Sequence, residues 1–327
     1  MEILITGGAG FIGSKLCGAL LRQGSLKTAR GTEEISRIVV LDVATPRSST
    51  DPRLVAINGD TTNPDILHRA LNKDTRIVFH LAAAVSMAAE ADFDLGYRIN
   101  LQGTQLLLER CRTLNTNPTV VMASSAAVYG GHMPSTVGTF TALAPQTSYG
   151  VQKAIAELLI NDYDRRGFLQ GCCLRLPTIV VRPGRPNLAA SSFASSLVRE
   201  PLEGRRFCCP VPPETLVSLL SVRRVVDAFI HAASLSRHQL GDTTAVQLPG
   251  LTLPVSDMLD AVGSVAGADA ASLVSFGPDE KILNIVNGWP VRFHADRAVA
   301  LGFRGDSEVR SIVQNFIEDE LNQRPQT

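Results

Sequence analysis

The stretch Glu2-Ile3-Leu4-Ile5-Thr6-Gly7-Gly8-Ala9-Gly10-Phe11-Ile12-Gly13 decides the fold. A short, mainly apolar run ends in glycines, and an apolar-periodic segment, Phe11 to Gln23, follows directly. A buried strand passing through a tight turn into a helix reads this way. Gly7, Gly10 and Gly13 are spaced GxxGxxG. Such glycines allow the turn and let backbone approach a pyrophosphate at the helix N-terminus. A glycine trio alone is a weak signal; its position between strand and helix strengthens it. The bland alternative is a glycine-rich structural turn.

Strand-like and helix-like segments alternate outward from this stretch. Arg37 to Asp42, Leu54 to Asn58, Arg76 to His80, Thr119 to Ser124 and Gly171 to Leu176 read as strands. Leu95 to Leu114 and Ser148 to Arg166 read as helices, and Ser25 to Ser36 as a polar insertion. The alternation predicts an α/β fold, a Rossmann-type doubly wound parallel sheet with helices on both faces. After Leu176, Pro and Gly become frequent. Helical stretches remain at Ser191 to Arg199, Val222 to Leu235, Val255 to Val265 and Ser307 to Leu321. Residues 1–176 are therefore expected to form a dinucleotide-binding domain. Residues 177–327 are expected to form a smaller, irregular substrate lobe interleaved with it, ending in a frayed tail from Asn322.

The chain has 327 residues, with 31 basic and 31 acidic side chains. Zero net charge argues against a nucleic-acid binder and against an electrostatic membrane binder. No run approaches the roughly 18 apolar residues of a membrane span, and the N-terminus lacks the basic start of a secretory signal. Six cysteines occur without CxxC spacing or a Cys/His cluster, so no metal is expected. Free thiols point to a cytoplasmic protein.

Three carboxylate or phenol positions carry chemistry. Asp42 ends the second strand, where a carboxylate accepts hydrogen bonds from ribose hydroxyls and repels a 2′-phosphate, favouring NAD over NADP. It lies 29 residues after Gly13, and the polar insertion accounts for the excess over the usual spacing. Asp60, followed by Thr61, ends the next strand region, where it is expected to meet the adenine; a helix cap before Pro64 is the alternative. In Tyr149-Gly150-Val151-Gln152-Lys153 the i and i+4 residues share a helix face. The ammonium is expected to favour phenolate, making Tyr149 a proton acceptor near neutral pH.

Taken together, TGGAGFIG at 6–13, Asp42, Gly59-Asp60, His80-Leu81-Ala82-Ala83, Asn100, SSAAVYG at 124–130, YGVQK at 149–153 and Leu174-Arg175-Leu176-Pro177 occur in order across the first lobe. In this the chain resembles the extended short-chain dehydrogenases/reductases of the NAD-dependent epimerase/dehydratase superfamily. The resemblance implies NAD as cofactor and a triad of Ser125, Tyr149 and Lys153. It implies cofactor contacts from Gly7, Gly10, Phe11, Ile12, Gly13, Asp42, Asp60 and Thr61. Further contacts are implied from Leu81, Ala82, Ala83, Asn100, Tyr149, Lys153 and Pro177. It also implies a homodimer through the two long helices, although packing within one subunit explains the same apolar pattern.

Within the superfamily, dehydratases carry an Asp-Glu pair where this chain has Ala126-Ala127, so dehydration is excluded. Cofactor-sensing relatives lose Tyr or Lys, and both are present here. The stretches from Ser148 to Glu157, Leu174 to Gly184, Asn187 to Ser196 and Gly288-Trp289-Pro290 to Phe303 are similar to a branch that oxidises a small sugar acid at C2. That reading takes Ser125 and Tyr149 to the reacting hydroxyl, Arg182 to the substrate carboxylate and Ser86 to a further hydroxyl. A structural ion pair is the alternative for Arg182. A nucleotide-sugar 4-epimerase with tightly bound NAD stays open, since Arg182, Arg185, Arg199, Arg205 and Arg206 could hold a diphosphate. His80 and Cys172-Cys173 read as structural, and His132 as exposed.

Overall fold

Glu2–Thr6 forms strand β1, with all five residues buried. Apolar side chains on both faces of a strand require cover on both sides, and the fold supplies it. Ile3 and Ile5 join Leu16, Leu20, Phe79 and Phe229 in one core, while Leu4 joins Leu41, Leu107, Leu108 and Ile160 in another. The computed structural model describes residues 1–45, 50–184 and 191–322.

Six further strands complete the central sheet: β2 (Arg37–Asp42), β3 (Leu54–Asn58), β4 (Thr75–His80), β5 (Thr119–Ser125), β6 (Gln170–Leu176) and β7 (Ala245–Gln247). Their order is β3-β2-β1-β4-β5-β6-β7, and every pairing is parallel. The chain runs outward from β1 to β3, then returns to lay β4 against the other side of β1. That reversal opens a crevice beyond the carboxyl ends of β1 and β4, where such sheets bind ligands. The expected doubly wound sheet is present, and the segments read as strands in the first half fall within a residue of these bounds.

Two segments differ from their reading. Ser25–Thr28 and Gly31–Glu34 pair as an antiparallel hairpin inside the polar insertion. The helix read from Leu95 to Leu114 runs as α-helix Phe93–Gly96, π-helix Tyr97–Gln102 and α-helix Gly103–Leu114. The wider π turn shifts the helix faces and brings Asn100 inside.

The second half adds β7 to the central sheet and lays helix Val222–Ala232 against helix Phe11–Gln23. Its own core gathers Phe193, Leu197, Leu219, Leu253, Met258 and Val313. Strand Leu216–Ser221 pairs with Thr178–Val180 in parallel and with Leu251–Pro254 in antiparallel. Phe293–His294 pairs with Val137–Gly138, stitching a late segment onto the loop after β5. The helices read from Ser191, Val222, Val255 and Ser307 are present as Ser192–Leu202, Val222–Ala232, Val255–Ala266 and Val309–Phe316, the last continued by a π turn Ile317–Leu321. Of the tail read as frayed, only Asn322 lies among the described residues. Among those residues no helix is long and apolar enough to cross a membrane, and no cluster of His, Cys, Asp and Glu could hold a metal.

Candidate active site

The glycine turn fits a dinucleotide by what it leaves out. Gly7 adopts φ 70°, and a Cβ there would stand 2.6 Å from the Ala82 amide nitrogen. A Cβ on Gly13 would stand 2.4 Å from the Gly7 carbonyl oxygen. The turn therefore lies directly against the loop after β4, and helix Phe11–Gln23 starts at Gly10 with no side-chain cap. Its free amides face the crevice as an anion site. Asp42 ends β2 beside the turn and accepts from Ala9 N and Ala44 N, both at 2.9 Å. It thus holds the turn. Asp60 accepts from Thr62 N at 2.8 Å, and the next helix is capped instead by Asn63, which accepts from Asp65 N at 2.9 Å. Thr61 is buried beneath this turn.

Across the crevice, Leu81 N donates to Thr6 O at 3.0 Å. Asn100 clamps the same loop: its Oδ1 accepts from Ala84 N at 2.8 Å, and its Nδ2 donates to Ala84 O at 3.1 Å and Gln152 Oε1 at 2.7 Å. The Asn100 amide is committed to the loop that carries Leu81, Ala82 and Ala83. His80 is buried between Thr6 Oγ1 at 2.7 Å and Thr104 Oγ1 at 2.9 Å. Thr104 donates onward to Asn100 O at 2.7 Å, so His80 Nε2 donates and Nδ1 accepts. Burial, with the nearby Lys153 charge, pushes His80 down to about 3, a neutral structural histidine as its sequence context suggested. Cys172 and Cys173 are core residues, and His132 is exposed.

Ser125 ends β5, and Tyr149 and Lys153 rise from helix Ser148–Arg165, which Thr147 caps by accepting from Gly150 N at 3.1 Å. Gly150 is required there because a Cβ would meet the Ala127 carbonyl oxygen at 2.2 Å. Ser125 lies beside Tyr149, where it favours the phenolate, and its Oγ accepts from Ala127 N at 3.1 Å. Lys153 Nζ donates to Ala123 O at 2.8 Å and lies 5.7 Å from the Tyr149 ring centroid. The sequence expectation of a tyrosine softened by its lysine needs correction. Burial pushes Tyr149 up to about 12, opposed only by Ser125, and burial brings Lys153 down to about 8. The low-dielectric site charges more against each ion than i, i+4 proximity returns.

Above the triad opens a cavity of about 300 Å³. Phe11, Ile12, Ser86, Ser125 and Tyr149 face it from the first half, and Pro177 and Arg182 from the second. Arg182 is half-buried, with its guanidinium 6.0 Å from the Phe11 ring centroid. It has no acidic partner among the described residues, so the structural ion pair weighed from sequence is absent there. Its backbone is fixed instead, by Ser195 Oγ accepting from Arg182 N at 3.0 Å and Arg199 Nη1 donating to Arg182 O at 2.7 Å. Sequence reasoning missed the walls made by Ser192, Val217, Ser218, Trp289, Val291 and Phe293. The signals for them were the stretches Asn187 to Ser196 and Gly288 to Phe303, which hold four of the six, and the lone tryptophan of the chain.

Two of the five arginines proposed for a diphosphate are tied to carboxylates. Arg199 is 1% exposed and pairs with Glu200 at 2.6 Å while donating to Ser196 at 2.8 Å. Arg205 pairs with Glu200 and Glu203. Arg185 lies outside the described residues, as does the stretch 187–190.

Comparison with known proteins agrees with this geometry. The model of the NAD dependent epimerase/dehydratase family matches residues 3–242. A D-erythronate dehydrogenase of Cupriavidus necator is 49% identical over 98% of this chain and 98% of its own length. A D-erythronate dehydrogenase of Haemophilus influenzae is 42% identical over 98% of this chain and 100% of its own length. A crystal structure described as a nucleoside-diphosphate-sugar epimerase from Agrobacterium tumefaciens is 40% identical, covers 99% of this chain and 95% of its own, and superposes with a TM-score of 0.92. The chain belongs to the NAD dependent epimerase/dehydratase family and is an NAD-dependent oxidoreductase of it.

Proposed function

We propose that the protein oxidises the C2 hydroxyl of D-erythronate to 2-dehydro-D-erythronate with NAD. The observation that carries this reading is Arg182, a half-buried guanidinium on a small cavity with no protein carboxylate to neutralise it among the described residues. Desolvated and beside Arg199, it has its pKa lowered, and an arriving carboxylate relieves that cost. No Asp or Glu among the described residues lines the cavity, so none of them offsets a substrate ammonium. A hydroxy acid suits the site and an amino acid does not. Serine hydroxyls at Ser86, Ser125, Ser191 and Ser192 suit a polyhydroxylated chain.

NAD, when bound, supplies the hydride acceptor at nicotinamide C4. Gly7, Gly10, Phe11, Ile12 and Gly13 would hold its pyrophosphate, Asp42 its adenosine ribose and Asp60 with Thr61 its adenine end. Leu81, Ala82, Ala83 and Pro177 would line it, and Asn100 would keep that loop in place. Arg182 pairs with the substrate carboxylate and fixes C2 over Tyr149. Tyr149 Oη takes the proton of the C2 hydroxyl. Ser125 Oγ donates a hydrogen bond to the same oxygen and shares its developing charge. The Lys153 ammonium steadies the phenolate, and Ser86 takes a further hydroxyl.

The 4-epimerase reading has the Agrobacterium structure's description in its favour. Against it stand the small cavity and the arginines already tied to Glu200 and Glu203. We further propose a cytoplasmic homodimer. Its free cysteines suit a reducing compartment, and exposed Phe93, Tyr97, Val151 and Leu158 on the helical face leave apolar area for a second copy.

NADH absorbance tests the reading, with NAD and D-erythronate set beside L-threonate, L-threonine and UDP-glucose. NADH with D-erythronate and none with L-threonine is expected. Activity with no sugar acid, together with NAD retained through purification, would move the assignment to the epimerase.

A further inference from the structure

Beneath the catalytic helix runs a chain of buried polar groups that the reaction's own residues do not use. Ser124, one residue before Ser125, donates to Glu157 Oε1. Glu157 accepts Arg175 Nε at 3.0 and 3.1 Å and Nη2 at 2.7 Å. Arg175 Nη1 donates to the Tyr129 hydroxyl at 2.8 Å and to Thr139 O at 2.9 Å. Tyr129 in turn donates to Gly138 O at 2.9 Å. Gly138 stands opposite His294 in the two-residue ladder, and Val137 N donates to Arg292 O at 3.0 Å. That late segment supplies Trp289, Val291 and Phe293 to the cavity wall.

Each end of the chain meets functional structure. Glu157 lies one turn beyond Lys153 and two beyond Tyr149, on one helix face. Ser124 is the register partner of Arg175, and Ser125 that of Leu176. Stability alone is a weak reason for it, because well-packed apolar residues often replace a buried ion pair at no loss. Two buried ions with this many fixed hydrogen bonds specify an arrangement more than they add stability.

We propose that the Ser124–Glu157–Arg175–Tyr129–Gly138 chain is a positioning device that ties the 291–294 wall of the substrate cavity to the catalytic helix, so that closure over the substrate and alignment of Ser125, Tyr149 and Lys153 are set together. Glu157, Arg175 and Tyr129 are then positioning residues, and the proposal rests on the triad assigned above. Glu157 has an electrostatic part as well. Lys153 faces Tyr149 and Glu157 on its own helix, His80 on β4 and Cys173 on β6. Burial keeps His80 and Cys173 neutral. The Glu157 carboxylate favours the Lys153 ammonium.

Two variants of the full chain test this, assayed with D-erythronate and NAD. Tyr129→Phe removes one oxygen and keeps the ring. The device predicts kcat lower by roughly tenfold, unchanged NAD affinity and faster amide exchange at residues 291–294. Glu157→Gln is expected to move the alkaline limb of the kcat profile to lower pH by about half a unit or more, because Lys153 loses its proton sooner. A lowered Tm with wild-type kcat and an unmoved pH profile would mean a merely structural network and overturn the proposal. If Glu157→Gln does not fold, Tyr129→Phe decides alone. If the wild-type protein leaves D-erythronate untouched, the substrate reading fails; exchange at 291–294 then judges the device, and unchanged exchange in Tyr129→Phe overturns it.

Discussion

The first 176 residues carry the glycine turn, Asp42 and Ser125 at the ends of parallel strands of five to seven residues, with Tyr149 and Lys153 on the helix Ser148–Arg165 packed beside them. The cavity walls from residue 177 onward hang on short ladders: Thr178–Val180 and Leu251–Pro254 flank the six-residue strand Leu216–Ser221, and Phe293–His294 pairs with Val137–Gly138. In the first region a group's position follows from the strand that ends beneath it, as Ser125 follows β5 and Asp42 follows β2. In the second, position is set by single contacts, as Arg182 is held by Ser195 and Arg199. The difference teaches where each kind of specificity sits. On the proposed reading, chemistry shared with NAD falls in the regular half, and the choice of substrate falls in the half built from short segments.

Substitutions can break this division. The largest effect is expected at Tyr149→Phe, which removes the proton acceptor from the regular half. Turnover should fall roughly a thousandfold, with NAD binding and Tm near wild type; full activity would remove the triad from the account. Arg182→Met strikes the irregular half. KM for D-erythronate should rise roughly a hundredfold while NAD affinity stays unchanged, measured by steady-state kinetics and cofactor titration. Equal loss of NAD affinity would mean that the two halves do not divide the work as described. Asp42→Asn should weaken NAD by about tenfold and narrow its advantage over NADP, without changing KM for the acid.

The smallest effect sharpens the same contrast through stability. Folded His80 sits near 3 against an ordinary value of 6.5. Below pH 6.5 the unfolded chain binds a proton that the folded chain refuses. This group's contribution therefore falls by about 1.4 kcal/mol per pH unit as acidity rises toward pH 3. Urea unfolding at several pH values should show that slope lessened by this amount in His80→Gln. An unchanged slope would mean that His80 is charged inside the crevice.

Legibility followed the same divide. Strands of the first half read as continuous apolar runs and its helices carry a period of 3.6, and β1, the glycine turn and YGVQK announced themselves. The π turn at Tyr97–Gln102 did not, since apolar residues lie on more than one face of this helix and hide the shift that one extra residue brings. Nor did β7, three residues whose strand state comes from lying against Cys173 and Leu174. The Phe293–His294 ladder carries no period at all. The Glu157–Arg175 pair left a trace, an arginine inside the apolar strand Cys172 to Leu176, but a partner 18 residues away on a helix is fixed only by the folded sheet. The raised Tyr149 and lowered Lys153 were hidden for a related reason: spacing gives proximity, and burial gives the cost of charge.

Hydride transfer from C2 is best tested with D-erythronate carrying deuterium at that carbon. Incubation with the protein and NAD, followed by mass analysis of the reduced cofactor, follows the atom itself. The account predicts NADH one mass unit heavier, formed more slowly than from unlabelled substrate. Unlabelled NADH, or label kept at C2 of the product, would contradict it.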